Sequence, residues 1–176
     1  MRVEIEIYSD VVCPWCYLGK TRLEAALATF DAEVTVRWRA FQLDPDAPHE
    51  CRPLMPWLAA KFGGMDRARQ TVAHVTALAR AEDLSLDFER ALIANTFDAH
   101  RLLWFADQPQ AVIFGAMADT QPELALLLHR AHFFEGLDTA SPDVLATVAE
   151  RVGLDPDRIL QMLRTDRKST LLNSSH

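Results

Sequence analysis

No stretch of this 176-residue chain is apolar for the length of a membrane span. Its opening, MRVEIEIYSD, interleaves charges from the second residue and lacks the pattern of a signal peptide. No membrane partner is expected, and the cytoplasm is the expected compartment. Basic charge is also short: 18 Lys and Arg stand against 25 Asp and Glu, a net charge of −7. Nucleic acid and anionic lipid both need clustered cations, so neither is an expected partner. Cysteine is scarce. Cys13, Cys16 and Cys51 are too few, and odd in number, for a disulfide framework. Phosphate loops, GxSxG and HExxH are absent, which removes the reactions those motifs support.

What is present begins with alternation. Val3, Ile5 and Ile7 oppose Arg2, Glu4 and Glu6, and Val34, Val36 and Trp38 oppose Thr35, Arg37 and Arg39. A period of two predicts strands. Between them Leu23, Ala26, Leu27 and Phe30 recur at helical spacing, with Lys20 and Glu24 as a weak pair on the wet face. Residues 1–45 therefore read as a βαβ unit with parallel strands. Residues 46–56 hold Pro48, Pro53 and Pro56 and read as a linker. Residues 57–165 carry helical patterns without a strand pattern, and Ser141-Pro142 and Asp155-Pro156 predict two helix starts. The tail at 166–176 differs in texture. It holds three of the chain's six serines, one of two asparagines and Lys168 in a lysine-poor chain, and it is read as foreign to the body.

The chemistry concentrates in VVCPWCYLG. Cys13 and Cys16 fall where a strand ends and a helix begins, the setting of a thioredoxin-like redox pair. At a helix start Cys13 meets free N–H groups and a partial positive charge, which stabilise the attacking thiolate. Cys16, one turn on, is placed to resolve the mixed disulfide, and Pro14 suits the first turn. A metal reading would need Cys13, Cys16, His49 and Cys51 together, in an unusual spacing. A structural staple would close a tiny loop in a reducing compartment. The redox reading is the expectation.

Beyond these residues, YSDVVCPWCYLGKTRLE with VRWRAFQLDPDAP resembles the DsbA-like thioredoxin superfamily, in particular its FrnE-like cytosolic branch. ANTFDAHRL and RAHFFEGLDTASPDVLATVAERVGLD extend the resemblance over about residues 3–165. It implies an α/β thioredoxin-like fold with an inserted all-helical domain. It also implies a protein-disulfide oxidoreductase acting on protein or small-molecule thiols and disulfides, with glutathione as a co-substrate and no bound cofactor or metal. Cys13 and Cys16 would be the catalytic pair, with Pro14, Trp15, Asn95 and His100 near bound substrate. The family's later strands and cis-proline loop have no counterpart here, so a fold with its C-terminal strands missing is expected. Two alternatives stay open: a glutathione-dependent 2-hydroxychromene-2-carboxylate isomerase, which typically carries serine at the position of Cys13, and a metal-binding or chaperone-like module. No oligomeric state is assigned.

Outside that set, Trp57, Trp104, Phe105, Phe133 and Phe134 are expected in the core. His129 and His132, three apart on one helix, are read as ordinary. Cys51 is read as an incidental thiol.

Overall fold

The computed structural model describes residues 2–117 and 120–165; the tail expected at 166–176 lies outside them. Alternation drives the first pairing. Val3, Ile5 and Ile7 are half-buried and Arg2, Glu4 and Glu6 exposed. Strand β1 (Arg2–Ser9) runs parallel to β2 (Glu33–Ala40), in register from Arg2↔Glu33 to Ser9↔Ala40. Helix α1 (Pro14–Leu27) makes the crossover that parallel strands require.

The helix does not bury the stripe its spacing predicts. Ala26 and Phe30 are exposed, and Phe30 lies beyond the helix end. Tyr17 and Leu18 turn inward instead, because α1 packs through its first half. Lys20 also corrects its expected place on the wet face. Its side chain is 1% exposed and paired with Glu24, and its ammonium lies 5.4 Å from the centre of the Trp38 ring. A four-carbon stem can cover apolar surface while its charge keeps a partner.

The linker expected over 46–56 ends sooner. Arg52–Pro53 forms β3, antiparallel to β4 (Leu92–Ile93), and α2 (Leu54–Phe62) follows at once. Pro56 is tolerated because it is the third residue of α2, where an N–H has no helical acceptor. A two-residue ladder is too short for periodicity to reveal, so β4 stands inside a segment expected to be wholly helical.

The remaining elements are α3 (Met65–Arg80), α4 (Phe97–Ala106), a 3₁₀ turn (Pro109–Phe114), α5 (Thr120–Arg130), a π turn (Ala131–Glu135), α6 (Pro142–Glu150) and α7 (Pro156–Thr165). The starts of α6 and α7 fall at the prolines read from the sequence. The helical stretch divides between two cores. Leu102, Leu124, Leu128, Leu145, Ile159 and Leu163 of α4–α7 share one with Val11 and Trp38, so these helices are continuous with the βαβ unit. Met55, Val75, Phe88 and Phe133 share the other with Tyr17, closing α2 and α3 onto α1.

Two contacts lock the larger core. Buried Arg101 donates to Asp98 Oδ1 at 2.7 Å and to the carbonyls of Leu163 and Met162 at 3.0 and 3.1 Å, capping the end of α7. Gly115 has φ +101°, and a Cβ there would stand 2.2 Å from the Gly153 carbonyl oxygen. Gly115→Ala adds both that clash and left-handed strain, so it is expected to cost about 2 kcal/mol. A urea titration checks this; an unchanged midpoint would refute the close approach.

Candidate active site

The loop after β1 is shaped by its own main chain. Cys13 N–H donates to the Asp10 carbonyl at 3.1 Å, and Cys13 becomes the N-cap of α1 with extended φ −94° and ψ 112°. Pro14 follows at the first helical position, where its missing N–H is harmless. The Cys16 N–H then donates to Cys13 Sγ at 3.4 Å. A sulfur at a helix N-terminus, facing a backbone donor, is in the environment that favours a thiolate. Both cysteines are free thiols and half-buried.

The two thiols lose their first proton readily and their second with difficulty. The hydrogen bond between the sulfurs is the largest cause for both. With the proton on Cys13, it lowers Cys16 to about 6 and pushes Cys13 above the ordinary thiol range. The shared proton can move the other way. Charge on Cys13 is met by the N–H groups of Trp15 and Cys16; charge on Cys16 is met by Ser9 and the Asp10 main chain and opposed by the Asp10 carboxylate.

Two histidine side chains and one main-chain N–H hold this loop from behind. His129 Nδ1 lies 3.0 Å from the Val11 carbonyl, with Tyr17 stacked on the ring at 5.1 Å. His100 Nε2 lies 3.2 Å from Asp10 Oδ1, and both residues are buried. Leu43 N–H donates to Asp10 Oδ2 at 2.7 Å. Burial pushes the Asp10 carboxyl up; the hydrogen bond and field of His100, with the donors of Leu43 and Thr96, push harder and leave it below its usual value. Asn95 serves a neighbouring loop. Its amide donates to the Pro45 and Ala47 carbonyls at 3.1 and 3.0 Å and accepts from Phe97 N–H at 3.0 Å.

A cavity of about 370 Å³ opens beside Cys13, Pro14 and Trp15. Its far wall is apolar: Leu54, Trp57, Leu58 and Phe62 from α2, Val72 and Val75 from α3, then Phe88 and Ile93. Lys61 lies on the same wall, its ammonium 4.6 Å from the centre of the Trp57 ring. Trp15 and Leu43, 52% and 55% exposed, form an apolar rim.

The structure thus gathers Cys13, Pro14 and Trp15 at one cavity, while Cys16 stands behind Cys13, hydrogen-bonded to it, and does not line the cavity. Asn95 and His100 do not line it; His100 meets Asp10 and Asn95 holds the Pro45–Ala47 loop. Trp57, expected in the core, is a wall residue, and Phe134 is exposed. Cys51 donates to Asp138 Oδ1 at 2.7 Å, and burial followed by that carboxylate pushes its thiol up to about 12. Among the described residues, no three His, Cys, Asp or Glu side chains gather to hold a metal. Sequence reasoning missed His129 and His132. His129 lies on the inward face of α5, a signal periodicity offered; His132 falls in the π turn that follows, where periodicity gives none.

A family model described as a DSBA-like thioredoxin domain matches residues 4–176. The chain superposes on a structure described as a probable DsbA oxidoreductase from Streptomyces coelicolor with a TM-score of 0.75 and 32% identity, covering 92% of this chain and 67% of that one. For the cytosolic disulfide reductase DsbM from Pseudomonas aeruginosa with GSH the TM-score is 0.60 and the identity 15%, covering 93% and 72%. A 2-hydroxychromene-2-carboxylate isomerase gives 0.57 and 15%, covering 93% and 72%. At 15% identity the last two speak for the fold alone. Among the described residues, no helix is long and apolar enough to cross a membrane.

Proposed function

The chain belongs to the DSBA-like thioredoxin domain family, and on that premise we propose that it is a cytoplasmic thiol–disulfide oxidoreductase with Cys13 attacking and Cys16 resolving. One observation carries the reading: Cys13 Sγ accepts the Cys16 N–H at the N-terminus of α1, beside an apolar cavity. The Cys13 thiolate attacks one sulfur of a disulfide R–S–S–R′, forms Cys13–S–S–R and expels R′S⁻. Cys16, deprotonated, attacks Cys13 Sγ and expels RS⁻. The substrate gains two electrons and the protein is left with a Cys13–Cys16 disulfide. The same steps run backwards when the protein oxidises a dithiol.

Substrates are protein or small-molecule thiols and disulfides, glutathione among them as a co-substrate. The exposed apolar rim of Trp15 and Leu43 suits a chain segment laid across the cavity mouth. The isomerase alternative has no use for a paired resolving thiol, and the presence of both cysteines favours exchange. Neither nucleic acid nor membrane enters the proposal.

Titration of the purified protein in glutathione buffers, trapped with a maleimide and read by mass, tests the reading. One reversible two-electron step on the peptide holding Cys13 and Cys16 is expected. A pair that never forms a disulfide overturns it.

A pH profile gives a second test. The first ionisation, at about 6 against an ordinary 9.0, makes the thiolate fraction grow as pH rises through that value. Alkylation by iodoacetamide should therefore climb between about pH 5 and 7 and then level off. A rate still climbing at pH 8 contradicts the shared-proton geometry.

A further inference from the structure

The exchange chemistry leaves Lys61 unused, on the cavity wall across from the cysteine loop. Lys20 shows what a lysine of this chain does when a carboxylate is at hand: it pairs with Glu24. Lys61 has no carboxylate partner among the described residues. Its ammonium instead rests 4.6 Å from the centre of the Trp57 ring, one turn earlier on the same face of α2. The stem lies along apolar wall and the indole face holds the charge at the cavity. The residue is exposed, so the ammonium is open to a ligand.

The other charges give that ligand a sign and a direction. The chain carries a net charge of −7. Lys61 is the one Lys or Arg among the described residues that line the cavity, against two carboxylates, Asp10 and Asp44. The remaining histidine of the wall, His132, is buried, and burial keeps it neutral. Asp10 is taken up by the Leu43 N–H and His100. Asp44 follows Leu43 and so lines the cavity from the cysteine side. An anion close to the attacked sulfur meets these carboxylates, whereas one carried across to α2 meets Lys61.

A cavity of about 370 Å³ is roughly 9 Å across, and an extended chain advances about 3.5 Å per residue before its side chain is counted. The side chain of a residue next to the substrate cysteine therefore spans to the far wall. Aspartate or glutamate there complements the ammonium, and the apolar surroundings strengthen the pair.

We propose that Lys61 binds the side-chain carboxylate of an acidic residue flanking the substrate cysteine, so that the protein favours acidic peptide segments. The selection acts on the exchange reaction assigned above to Cys13 and Cys16 and rests on it.

The experiment follows single-turnover oxidation of the reduced protein, at low salt, by the disulfides of acetyl-Glu-Cys-Glu-amide and acetyl-Gln-Cys-Gln-amide. Each turnover leaves one Cys13–Cys16 disulfide and two free peptide thiols. The readout is the ratio of second-order rate constants, acidic over neutral, in which any general loss of activity cancels. Lys61→Met should lower that ratio about fivefold and Lys61→Glu further, while Lys61→Arg stays within about twofold of wild type. Arg2→Gln, which removes one positive charge at the start of β1, should leave the ratio unchanged. Equal ratios in wild type and Lys61→Met overturn the proposal. An equal fall in Arg2→Gln overturns it too, because net charge alone would then account for the preference. Glutathione disulfide is the third substrate, and a loss in Lys61→Met confined to it would assign the carboxylate to a small thiol and overturn the peptide. A second readout needs no exchange. The S-methyl thioether of the acidic peptide should shift the indole N–H signal of Trp57 more than its neutral counterpart does, and Lys61→Met should abolish the difference. Equal shifts in wild type overturn the proposal. If wild type exchanges neither disulfide while the difference persists, the exchange reading falls and the carboxylate site is supported.

Discussion

Serine in place of Cys13 should lower disulfide exchange by at least about a thousandfold, because a hydroxyl at neutral pH has no anionic form to attack sulfur. The fold should hardly respond. Serine is a favourable N-cap, and its oxygen can take the Cys16 N–H that the sulfur now accepts. Unfolding should therefore shift by less than about 1 kcal/mol while activity disappears. Cys16→Ser should behave differently. Cys13 would still attack, but nothing would resolve the product, so a mixed disulfide with substrate should accumulate and appear as an added mass. The reverse pattern, with Cys13→Ser forming the trapped adduct, would move the attacking thiolate to Cys16. The shared proton makes that outcome physically accessible, which is why both variants are needed.

Asp10→Ala should be the most damaging substitution behind the site, at about 3 kcal/mol. The carboxylate takes the Leu43 N–H on one oxygen and faces His100 Nε2 on the other, with little water to replace it. Alanine leaves both groups buried without it. The effect has a sign in pH. The folded pKa of Asp10 lies below its unfolded value, so its contribution is complete above the unfolded value, near 4. It is lost as pH falls through the lower folded value. Wild type and variant should thus differ most at pH 7 and converge in acid, as urea titrations at pH 7 and pH 3 would show. A constant difference across that range would mean that the carboxylate acts only through its shape. Exchange activity should fall too, because losing the Leu43 and His100 contacts frees the main chain whose carbonyl at residue 10 accepts the Cys13 N–H.

The parts of this fold written in local pattern were legible in the sequence. Two alternating strands around a helix, the cysteine pair at the helix start, and the prolines opening α6 and α7 all depend on residues near in sequence. What escaped depends on partners far away. Lys20 looks like a wet-face lysine until Trp38 is placed beneath it. Asn95 and His100 carry the family resemblance, but which way they face is set by the Pro45–Ala47 carbonyls and by Asp10, some fifty and ninety residues distant. The cavity was hidden for the same reason. Its wall joins α2 and α3 to the cysteine loop, and helical periodicity cannot separate a residue facing a core from one facing a cavity. His132 is the extreme case, since a π turn breaks the period on which such reading depends.

The histidines that brace the cysteine loop are also among the last parts of its setting to be synthesised. Cys13 and Cys16 leave the ribosome early, but His100 and His129, which hold Asp10 and Val11, are added much later. At about 5–20 residues per second, roughly ten seconds separate Cys13 from His129. Through that interval the nascent chain carries two cysteines of ordinary acidity, mostly protonated at neutral pH and slow to attack a passing disulfide. The contacts that fix Asp10 and Val11 behind the pair form only once His100 and His129 have docked. The order in which the chain is made thus finishes the support of the cysteine loop long after the cysteines themselves.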